Sequence, residues 1–163
     1  MKKLSFFATI VLFVVFTACG DYEKNNDTAA ASGTESAAEG TSDPSSYDPK
    51  RGEGKWTAEN VNATPDLNKA MAAEGEKISN TKCLSCHKIT DEKLVGPGWA
   101  GVTERRTPEW IMNFITNPDP MLDKDPEAQA MLEICLVRMP NQNLSDDEAR
   151  SILEYMRQID GVK

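Results

Sequence analysis

The stretch Cys83-Leu84-Ser85-Cys86-His87 carries the chemistry that decides how the rest of this chain is interpreted. It places two thiols three positions apart and an imidazole directly after the second thiol. His87 is the only histidine among the 163 residues, and the chain has four cysteines. A site built from two or more histidines of this chain is therefore excluded, whereas a site that needs two thiols and one imidazole is available.

This spacing is the attachment pattern for a c-type haem. Two thiols must reach the two vinyl groups on one side of a porphyrin and form thioethers, and the next residue must offer a ring nitrogen to the iron. We therefore interpret Cys83 and Cys86 as the thioether residues of one covalently attached haem c. His87 is then one axial ligand of the haem iron.

Other chemistries of the same residues stay open at this stage. Cys83 and Cys86 could form a disulfide or a dithiol redox pair, although thioredoxin-like folds need a strand–helix alternation that is missing here. Together with His87 and Cys135 they could also bind zinc through three thiolates and one imidazole. Cys135 is otherwise expected to be a small buried hydrophobic residue.

Methionine is the strongest internal candidate for the sixth iron ligand, because the chain has no second histidine. Met139 precedes Pro140, and a residue before proline is pushed out of helical dihedral angles. We expect Met139 to lie on an irregular segment between two helices and to be the axial ligand. Met121, which follows Pro120 in a predicted loop, is its rival, and a packed loop methionine over an open iron site is the other alternative.

The N-terminal residues are typical of an export signal. Lys2 and Lys3 precede an apolar run, Phe6–Phe16, that is shorter than the roughly 20 residues of a membrane span. Small residues directly before Cys19 resemble a bacterial lipoprotein signal, in which the cysteine is lipidated. We predict a signal peptide over residues 1–18 and a lipid-anchored protein in the periplasm or on the outer face of a membrane. An ordinary cleaved signal and an uncleaved anchor are the alternatives.

Residues 19–65 differ in composition from the rest of the chain. Small polar residues, alanine and acids dominate there, and neither helical nor strand periodicity is visible. Such a stretch buries too little apolar surface to offset its chain entropy, so we predict a lipid anchor followed by a disordered tether. Trp56 and Val61 are too isolated to indicate a further domain. The folded domain is predicted to span residues 66–163.

Residues that typically start or stop helices recur along this predicted domain, and no run of residues has a strand pattern. The predicted helix starts, each with a capping side chain or an early proline, are Thr64-Pro65, Thr107-Pro108, Asp125-Pro126 and Ser145. The first helix is expected to end near Lys82, and the sequence 117–120 is expected to stop the second. We predict an all-α domain of four short helices with one long loop from Cys83 to Arg106.

The net charge of the chain limits which classes of partner it is expected to bind. The chain has 26 acidic and 18 basic residues and a formal net charge of −8. There is no basic excess to neutralise phosphates, so nucleic-acid binding is not expected. Lys82, Lys88 and Lys93 flank the C-x-x-C-H sequence and could steer an acidic partner. Scattered surface lysines on an acidic protein are the alternative.

Residues 66–163 resemble a class I, monohaem cytochrome c. The features that carry the resemblance are the C-x-x-C-H sequence, Gly75-Glu-Lys-Ile, Leu94-Val-Gly-Pro-Gly, and Met139-Pro140 before a capped C-terminal helix. The resemblance implies a small fold in which the helices wrap around one covalently attached haem. In that family a glycine of the N-terminal helix packs against an aromatic residue of the C-terminal helix, and Gly75 and Tyr155 hold those positions here. Ser79 stands where the family usually has an aromatic residue.

Residues that follow the attachment sequence have less specific signals. Pro97 resembles the family proline whose carbonyl accepts the second ring N–H of the haem histidine, with a plain turn as the alternative. Trp99 could pack near the haem or donate to a propionate, or could belong to an ordinary core. Arg105 and Arg106 could neutralise propionates, or could form a solvated charged pair.

Ligation by histidine and methionine fills both axial positions, which suits outer-sphere electron transfer and disfavours oxygen or peroxide chemistry. The expected function is that of a membrane-tethered electron carrier, not an enzyme. The resemblance implies redox partners such as a quinol-oxidising complex as donor and a terminal oxidase or another reductase as acceptor. The competing functions are a ligand-binding or peroxide-reducing haem protein with a labile Met139, and a non-haem zinc or dithiol module.

Overall fold

A computed structural model of the chain describes residues 47–163. The predicted signal peptide, the predicted lipidation site at Cys19 and the first part of the predicted tether lie outside the described residues. Within residues 47–163, no helix is both long enough and apolar enough to cross a membrane.

The described residues form six α-helices and contain no strand, which confirms the all-α prediction. The helices are α1 (Lys69–Lys82), α2 (Val102–Arg105), α3 (Pro108–Thr116), α4 (Pro118–Lys124), α5 (Pro126–Cys135) and α6 (Asp146–Ile159). The sequence predicts α1, α3, α5 and α6. The predicted number of four helices is too low by two short elements, α2 and α4.

The two additional helices follow from local backbone geometry. The four-residue α2 lies in the segment predicted to be a loop, and it starts after Gly101, whose φ of 73° lies in the left-handed region. Asn117 ends α3 as expected, but Pro118 is the first residue of α4. Proline suits that position because its fixed φ is helical and its missing N–H needs no partner in the first turn. The sequence 117–120, which was predicted to end α3, therefore also begins α4.

Side-chain caps set the other helix starts. Three starts agree with the sequence, and their capping side chains belong to Thr107, Asp125 and Ser145. The Ser145 cap is completed by a reciprocal hydrogen bond from its own N–H to the Glu148 carboxylate. Helix α1 begins at Lys69, later than predicted, because Asn68 caps it by accepting the N–H of Met71 at 3.1 Å.

Helices α1 and α6 pack against each other at Gly75. A β-carbon built at Gly75 would lie 2.0 Å from the carbonyl oxygen of Ser151, so a side chain at this position would collide with the α6 backbone. Tyr155, one turn further along α6, is buried, and its ring meets the edge of Trp99 with 6.4 Å between the ring centroids. Ser79, one turn after Gly75, is fully buried, and its hydroxyl has no hydrogen-bond partner within the described residues.

A buried ion pair joins the entry to α1 with α6. The Glu154 carboxylate is fully buried and lies 2.7 Å from Nη1 of Arg157. It also accepts the backbone N–H of Asn68 at 3.0 Å, while Arg157 donates to the Pro65 carbonyl at 2.9 Å. A buried charge is costly unless it is paired and hydrogen-bonded, so these contacts fix where the chain enters α1.

Residues 47–65, which we call the N-terminal segment, pack against the helices. This corrects the prediction that the tether extends to residue 65. Trp56 and Val61 are 8% and 3% exposed and belong to the main hydrophobic core. Asn113 of α3 accepts the backbone N–H of Trp56 at 2.8 Å and donates to the carbonyl groups of Arg51 and Trp56, each at 3.0 Å. One buried amide side chain thus satisfies three backbone groups of the segment.

Tyr47 attaches the beginning of the N-terminal segment to α5. Its hydroxyl donates to the carboxylate of Asp125, which is fully buried, caps α5 and also accepts Trp110 Nε1–H at 3.0 Å. Burial, and then the hydrogen bond to Asp125, raises the pKa of Tyr47 well above its usual value. The segment and its helical partners are 57 to 78 positions apart in these contacts, so no local sequence pattern could indicate them.

Replacing Asn113 by alanine is expected to release the N-terminal segment. The Asn113→Ala variant loses three hydrogen bonds and leaves buried backbone groups unpaired, so its free energy of unfolding should fall by about 3 kcal/mol. Trypsin should also cleave after Arg51 and Lys55 faster than in the wild-type protein. Asn80→Ala, at an exposed position of α1, is the matched control and should change neither quantity. Unchanged cleavage in Asn113→Ala would show that Asn113 does not hold the segment.

Candidate haem-binding site

A cavity of about 360 Å³ opens between the end of α1, the loop before α2, helices α3 and α6, and the loop between α5 and α6. All residues that the sequence assigned to a haem site within the described part of the chain line it. They are Cys83, Cys86, His87, Pro97, Trp99, Arg105, Arg106 and Met139. Residues from all of these parts of the chain, together with residues of α2 and α5, thus meet at one cavity.

Helix α3 supplies an apolar wall of this cavity that the sequence did not assign to the site. Trp110, Ile111, Phe114 and Ile115 line the cavity from this helix. Their i, i+1, i+4, i+5 spacing predicts one buried face, and that pattern was the available signal. The pattern does not distinguish a face that packs on other side chains from a face that borders a cofactor.

The C-x-x-C-H sequence begins where α1 ends. Cys83 is the C-cap of α1, and its N–H donates to the Ser79 carbonyl at 2.9 Å. The N–H groups of Cys86 and His87 both donate to the Cys83 carbonyl, at 3.0 and 3.1 Å. This tight turn brings all three side chains to the cavity. Both thiols are free, and burial raises the pKa of Cys83 above its usual value, so this thiol is protonated at neutral pH.

The imidazole of His87 is oriented by the loop that follows the turn. Its Nδ1 lies 2.8 Å from the carbonyl oxygen of Pro97. A carbonyl can only accept a hydrogen bond, so Nδ1 carries the proton and Nε2 keeps its lone pair. Burial lowers the pKa of His87, and the Pro97 bond offsets this only in part, so the ring is neutral at pH 7. The side chain therefore presents the form of imidazole that binds a metal.

Gly96 and Trp99 fix the other faces of this ring. A β-carbon at Gly96 would lie 2.4 Å from Cε1 of His87 and 2.9 Å from its Nε2. The N–H of Gly96 donates to the Cys86 carbonyl at 2.8 Å, which holds the loop against the attachment turn. Trp99 is buried, with its ring centroid 5.7 Å from that of His87. Together with its contact to Tyr155, Trp99 links the imidazole to α6.

Three methionines line the cavity: Met131, Met139 and Met156. Met139 lies in the irregular segment between α5 and α6, where the sequence predicts it, and is half-buried. Met121 lies in α4, not in a loop, and is fully buried. Its sulfur accepts the backbone N–H of Glu53 at 2.9 Å, so Met121 belongs to the contact with the N-terminal segment and does not line the cavity.

The two arginines at the cavity have different partners. Arg105 donates to the Ala100 carbonyl at 3.0 Å and forms no ion pair within residues 47–163. Arg106 lies 2.8 Å from the Glu127 carboxylate, and its guanidinium is 4.8 Å from the ring centroid of Trp110. The charge of Arg106 is therefore partly compensated within the chain, whereas that of Arg105 is available to an anionic group.

The geometry does not support a disulfide or a zinc site, which are two of the chemistries that the sequence left open. Cys83, Cys86 and Cys135 are free thiols, so Cys83 and Cys86 are not joined as a disulfide. Within residues 47–163, no three His, Cys, Asp or Glu side chains are placed to hold a metal ion together, so the proposed zinc site is not formed. Cys135 instead lines a smaller cavity of about 90 Å³ that also borders Cys86 and Met139.

A helix pair that crosses at a glycine, a C-x-x-C-H turn at the end of the first of these helices and an apolar cavity beside a methionine loop define a c-type cytochrome. The cytochrome c family matches residues 72–160, more than half of the chain, and the chain belongs to this family.

Solved structures of cytochromes c resemble this chain. A cytochrome c from Rhodothermus marinus is 34% identical to it, with a TM-score of 0.62, and the match covers 72% of this chain and 97% of that one. An engineered form of that protein, Rma TDE, is 33% identical with a TM-score of 0.61 and matching shares of 72% and 98%. The same engineered protein bound to a carbene intermediate has a TM-score of 0.59 at 34% identity, with shares of 72% and 98%. A comparison with curated proteins gave no match.

Membership of the family implies one covalently attached haem c, and the residues of the cavity fit this group. Covalent attachment needs two free thiols on one turn, and Cys83 and Cys86 provide them. Iron ligation needs a neutral imidazole with a free lone pair, which is the state of His87. The walls formed by α3 and α6 are apolar, as the face of a porphyrin requires.

Replacing Gly96 by alanine is expected to displace the His87 ring. The added methyl group would overlap the imidazole, so the haem spectrum of Gly96→Ala should acquire a high-spin component while covalent haem content stays near the wild-type value. Gly161→Ala is the control, because it adds the same methyl group just after α6, outside the cavity lining and with no atom within 4 Å, and its φ of 88° also tests whether backbone strain elsewhere alters the spectrum. The optical spectra of the two purified proteins and their pyridine haemochromes measure both quantities. A wild-type spectrum in Gly96→Ala would show that this contact does not set the ring position.

Proposed function

We propose that this chain is a single-electron carrier in which His87 and Met139 are the two axial ligands of the haem iron. One observation carries the proposal: the neutral imidazole of His87 and the thioether of Met139 line the same cavity as the two attachment thiols. Membership of the cytochrome c family supports electron transfer as the function, because carriers of this kind are typical of the family. The ligands and the biological setting are the finer part of the proposal.

The bound haem supplies a reversible one-electron change between ferric and ferrous iron. The chain contributes fixed ligands and a dry environment. The Pro97 carbonyl keeps the proton on Nδ1 of His87, so the lone pair of Nε2 would be available to the iron of a bound haem. The apolar side chains of α3 line one wall of the cavity and would shield that side of a bound haem from water. Two protein ligands leave no position for a substrate, which favours electron transfer over chemistry on a bound molecule.

Two positive side chains give the cavity a place for anionic groups. Arg105 reaches the cavity without a carboxylate partner in the described residues, and we assign it to neutralise a propionate. Arg106 contributes less, because Glu127 already compensates its charge. Trp99 is assigned to hold the imidazole in place through its packing between His87 and Tyr155.

Met139 is tested directly by its replacement with alanine. In Met139→Ala, the weak sulfur-to-iron absorption band should disappear and the reduction potential should fall by on the order of 0.1 V, because methionine ligation raises the potential. Met131→Ala is the matched control, since Met131 lines the same cavity from α5. It should keep the band and nearly keep the potential.

Other results would lead to different conclusions. Loss of the band in Met131→Ala and its retention in Met139→Ala would exchange the roles of the two methionines. A wild-type protein with a high-spin spectrum and rapid carbon monoxide binding would indicate a labile sixth position. The chain would then be a ligand-binding or peroxide-reducing haem protein.

We also propose that the protein is exported and held at a membrane by a lipid on Cys19. The support is the sequence of the first 19 residues, with its two lysines, its apolar run and the cysteine that follows small residues. Redox partners of the same compartment, a quinol-oxidising complex and a terminal oxidase or another reductase, would then supply and accept the electrons.

Lipidation is expected to depend on the Cys19 thiol. Cells that express the wild-type chain and are fed an alkynyl fatty acid should yield a labelled protein, and Cys19→Ala should yield none. Cys135→Ala removes a thiol outside the signal and should retain the label. Equal labelling of wild-type and Cys19→Ala proteins would contradict a lipid on Cys19.

A further inference from the structure

Exposed apolar side chains are grouped beside the haem-binding cavity. We call them the apolar patch, and its residues are Leu94, Val95, Ile134, Leu136 and Val137. Leu136 is 83% exposed and Ile134 is 65% exposed. The two stretches adjoin, because Lys93 Nζ donates to the Ile134 carbonyl at 3.4 Å, and Val95 and Val137 line one small cavity. Contiguous exposed apolar groups mark interaction surfaces, whereas single ones are ordinary.

The backbone at Leu136 is unusual for a leucine. Leu136 is the C-cap of α5 with a φ of 60°, in the left-handed region, and its N–H donates to the Leu132 carbonyl at 2.7 Å. Glycine or asparagine usually occupies such a position, because other side chains are strained there. Because the Leu136 side chain is almost fully exposed, it makes little stabilising apolar contact within its own chain. A second surface that covers Leu136 would bury this side chain and offset the backbone strain.

Two of the three lysines nearest the attachment sequence form ion pairs within the chain. Lys82 lies 3.0 Å from the Glu148 carboxylate, and Lys88 lies 2.6 Å from the Glu92 carboxylate. Lys93 donates to the Ile134 carbonyl at the edge of the patch. The two carboxylate pairs reduce the free positive charge that could attract an acidic partner, which was one expectation from the sequence, and of these three lysines only Lys93 keeps an uncompensated charge within the described residues. The surface that remains at this edge of the cavity is apolar.

The patch also adjoins the haem-binding site. Val95 and Val137 share the small cavity with Cys86 and Met139. The N–H groups of Val95 and Gly96 both donate to the Cys86 carbonyl, at 3.1 and 2.8 Å. A protein seated on the patch would therefore touch residues next to the cofactor attachment, which an electron-transfer partner needs. A contact that does not transfer electrons would not need to lie beside the cofactor-binding cavity.

We propose that the apolar patch is the docking surface for a redox protein that presents an apolar face with few charges. This inference rests on the electron-carrier function proposed above and adds the chemistry of the partner. Association should depend on burial of apolar surface and only weakly on salt, unlike association that is guided by opposite charges. The contact is expected to be small and short-lived, as is typical of redox encounters.

The test follows oxidation of the reduced, haem-loaded full chain by membranes of the source organism. Between about 10 mM and about 150 mM KCl the Debye length shrinks from about 30 Å to about 8 Å, so charge-guided docking would slow steeply. The wild-type rate should change less than about twofold over this range. In the double variant Ile134→Asn, Leu136→Asn, kcat/KM should fall about fivefold or more, as for loss of well-buried interface side chains.

The variants are chosen so that folding does not decide the result. Asparagine tolerates the left-handed backbone of residue 136 better than leucine does, so the double variant should unfold at or above the wild-type temperature. Its optical spectrum and reduction potential should equal those of the wild type. Ile89→Asn is the matched control, at an apolar residue that is 44% exposed and not part of the patch, and it should keep the wild-type rate.

Four outcomes would overturn the proposal. Normal oxidation of the double variant would exclude the patch as the docking surface and leave the carrier function intact. A wild-type rate that falls about tenfold or more with salt would indicate charge-guided docking instead. A wild-type dimer that the double variant dissociates, detected by sedimentation, would make the patch an interface between two copies. A wild-type protein that exchanges no electrons with the membranes would overturn the docking proposal together with the proposed function.

Discussion

The close approach of α1 and α6 at Gly75 sets the position of the attachment residues. A β-carbon at Gly75 would lie 2.0 Å from the Ser151 carbonyl oxygen, so the two helix backbones are in direct contact. Cys83 lies about two turns further along α1, and this crossing holds it beside the α6 residues that line the same cavity. The buried pair of Glu154 and Arg157 fixes the entry to α1 on the same helix. The first attachment thiol is therefore positioned by a rigid helix pair.

His87 depends on a second constraint, which is local. The turn that begins at Cys83 directs the imidazole to the cavity, and the loop at Gly96 and Pro97 closes on the ring from the other side. The loop needs a carbonyl that orients Nδ1 and a residue without a side chain beside the ring. Trp99 then connects this assembly to Tyr155 on α6, so the local constraint is tied to the helix crossing.

Sequence patterns predicted the features that depend on neighbouring residues. Helices α1, α3, α5 and α6 were predicted because caps and prolines act within one turn, and Met139 lies on an irregular segment because Pro140 follows it. The packing of the N-terminal segment was missed because Asn113 and Asp125 lie 57 and 78 positions from the backbone and hydroxyl groups they bind. The apolar stripe of α3 was visible, but which neighbour it faces is decided by the packing of the whole domain.

Burial in this cavity disfavours the charged form of both Cys83 and His87. It therefore lowers the pKa of the imidazole. By the same physics, apolar walls disfavour the oxidation state of an enclosed haem with the greater positive charge, which is the ferric state. The methionine ligand proposed above, Met139, would shift the equilibrium in the same direction, because a thioether stabilises ferrous iron. Free positive charge on Arg105 adds to this effect, whereas Glu127 reduces the contribution of Arg106. The lining and the proposed ligands would thus both favour the ferrous state of a bound haem.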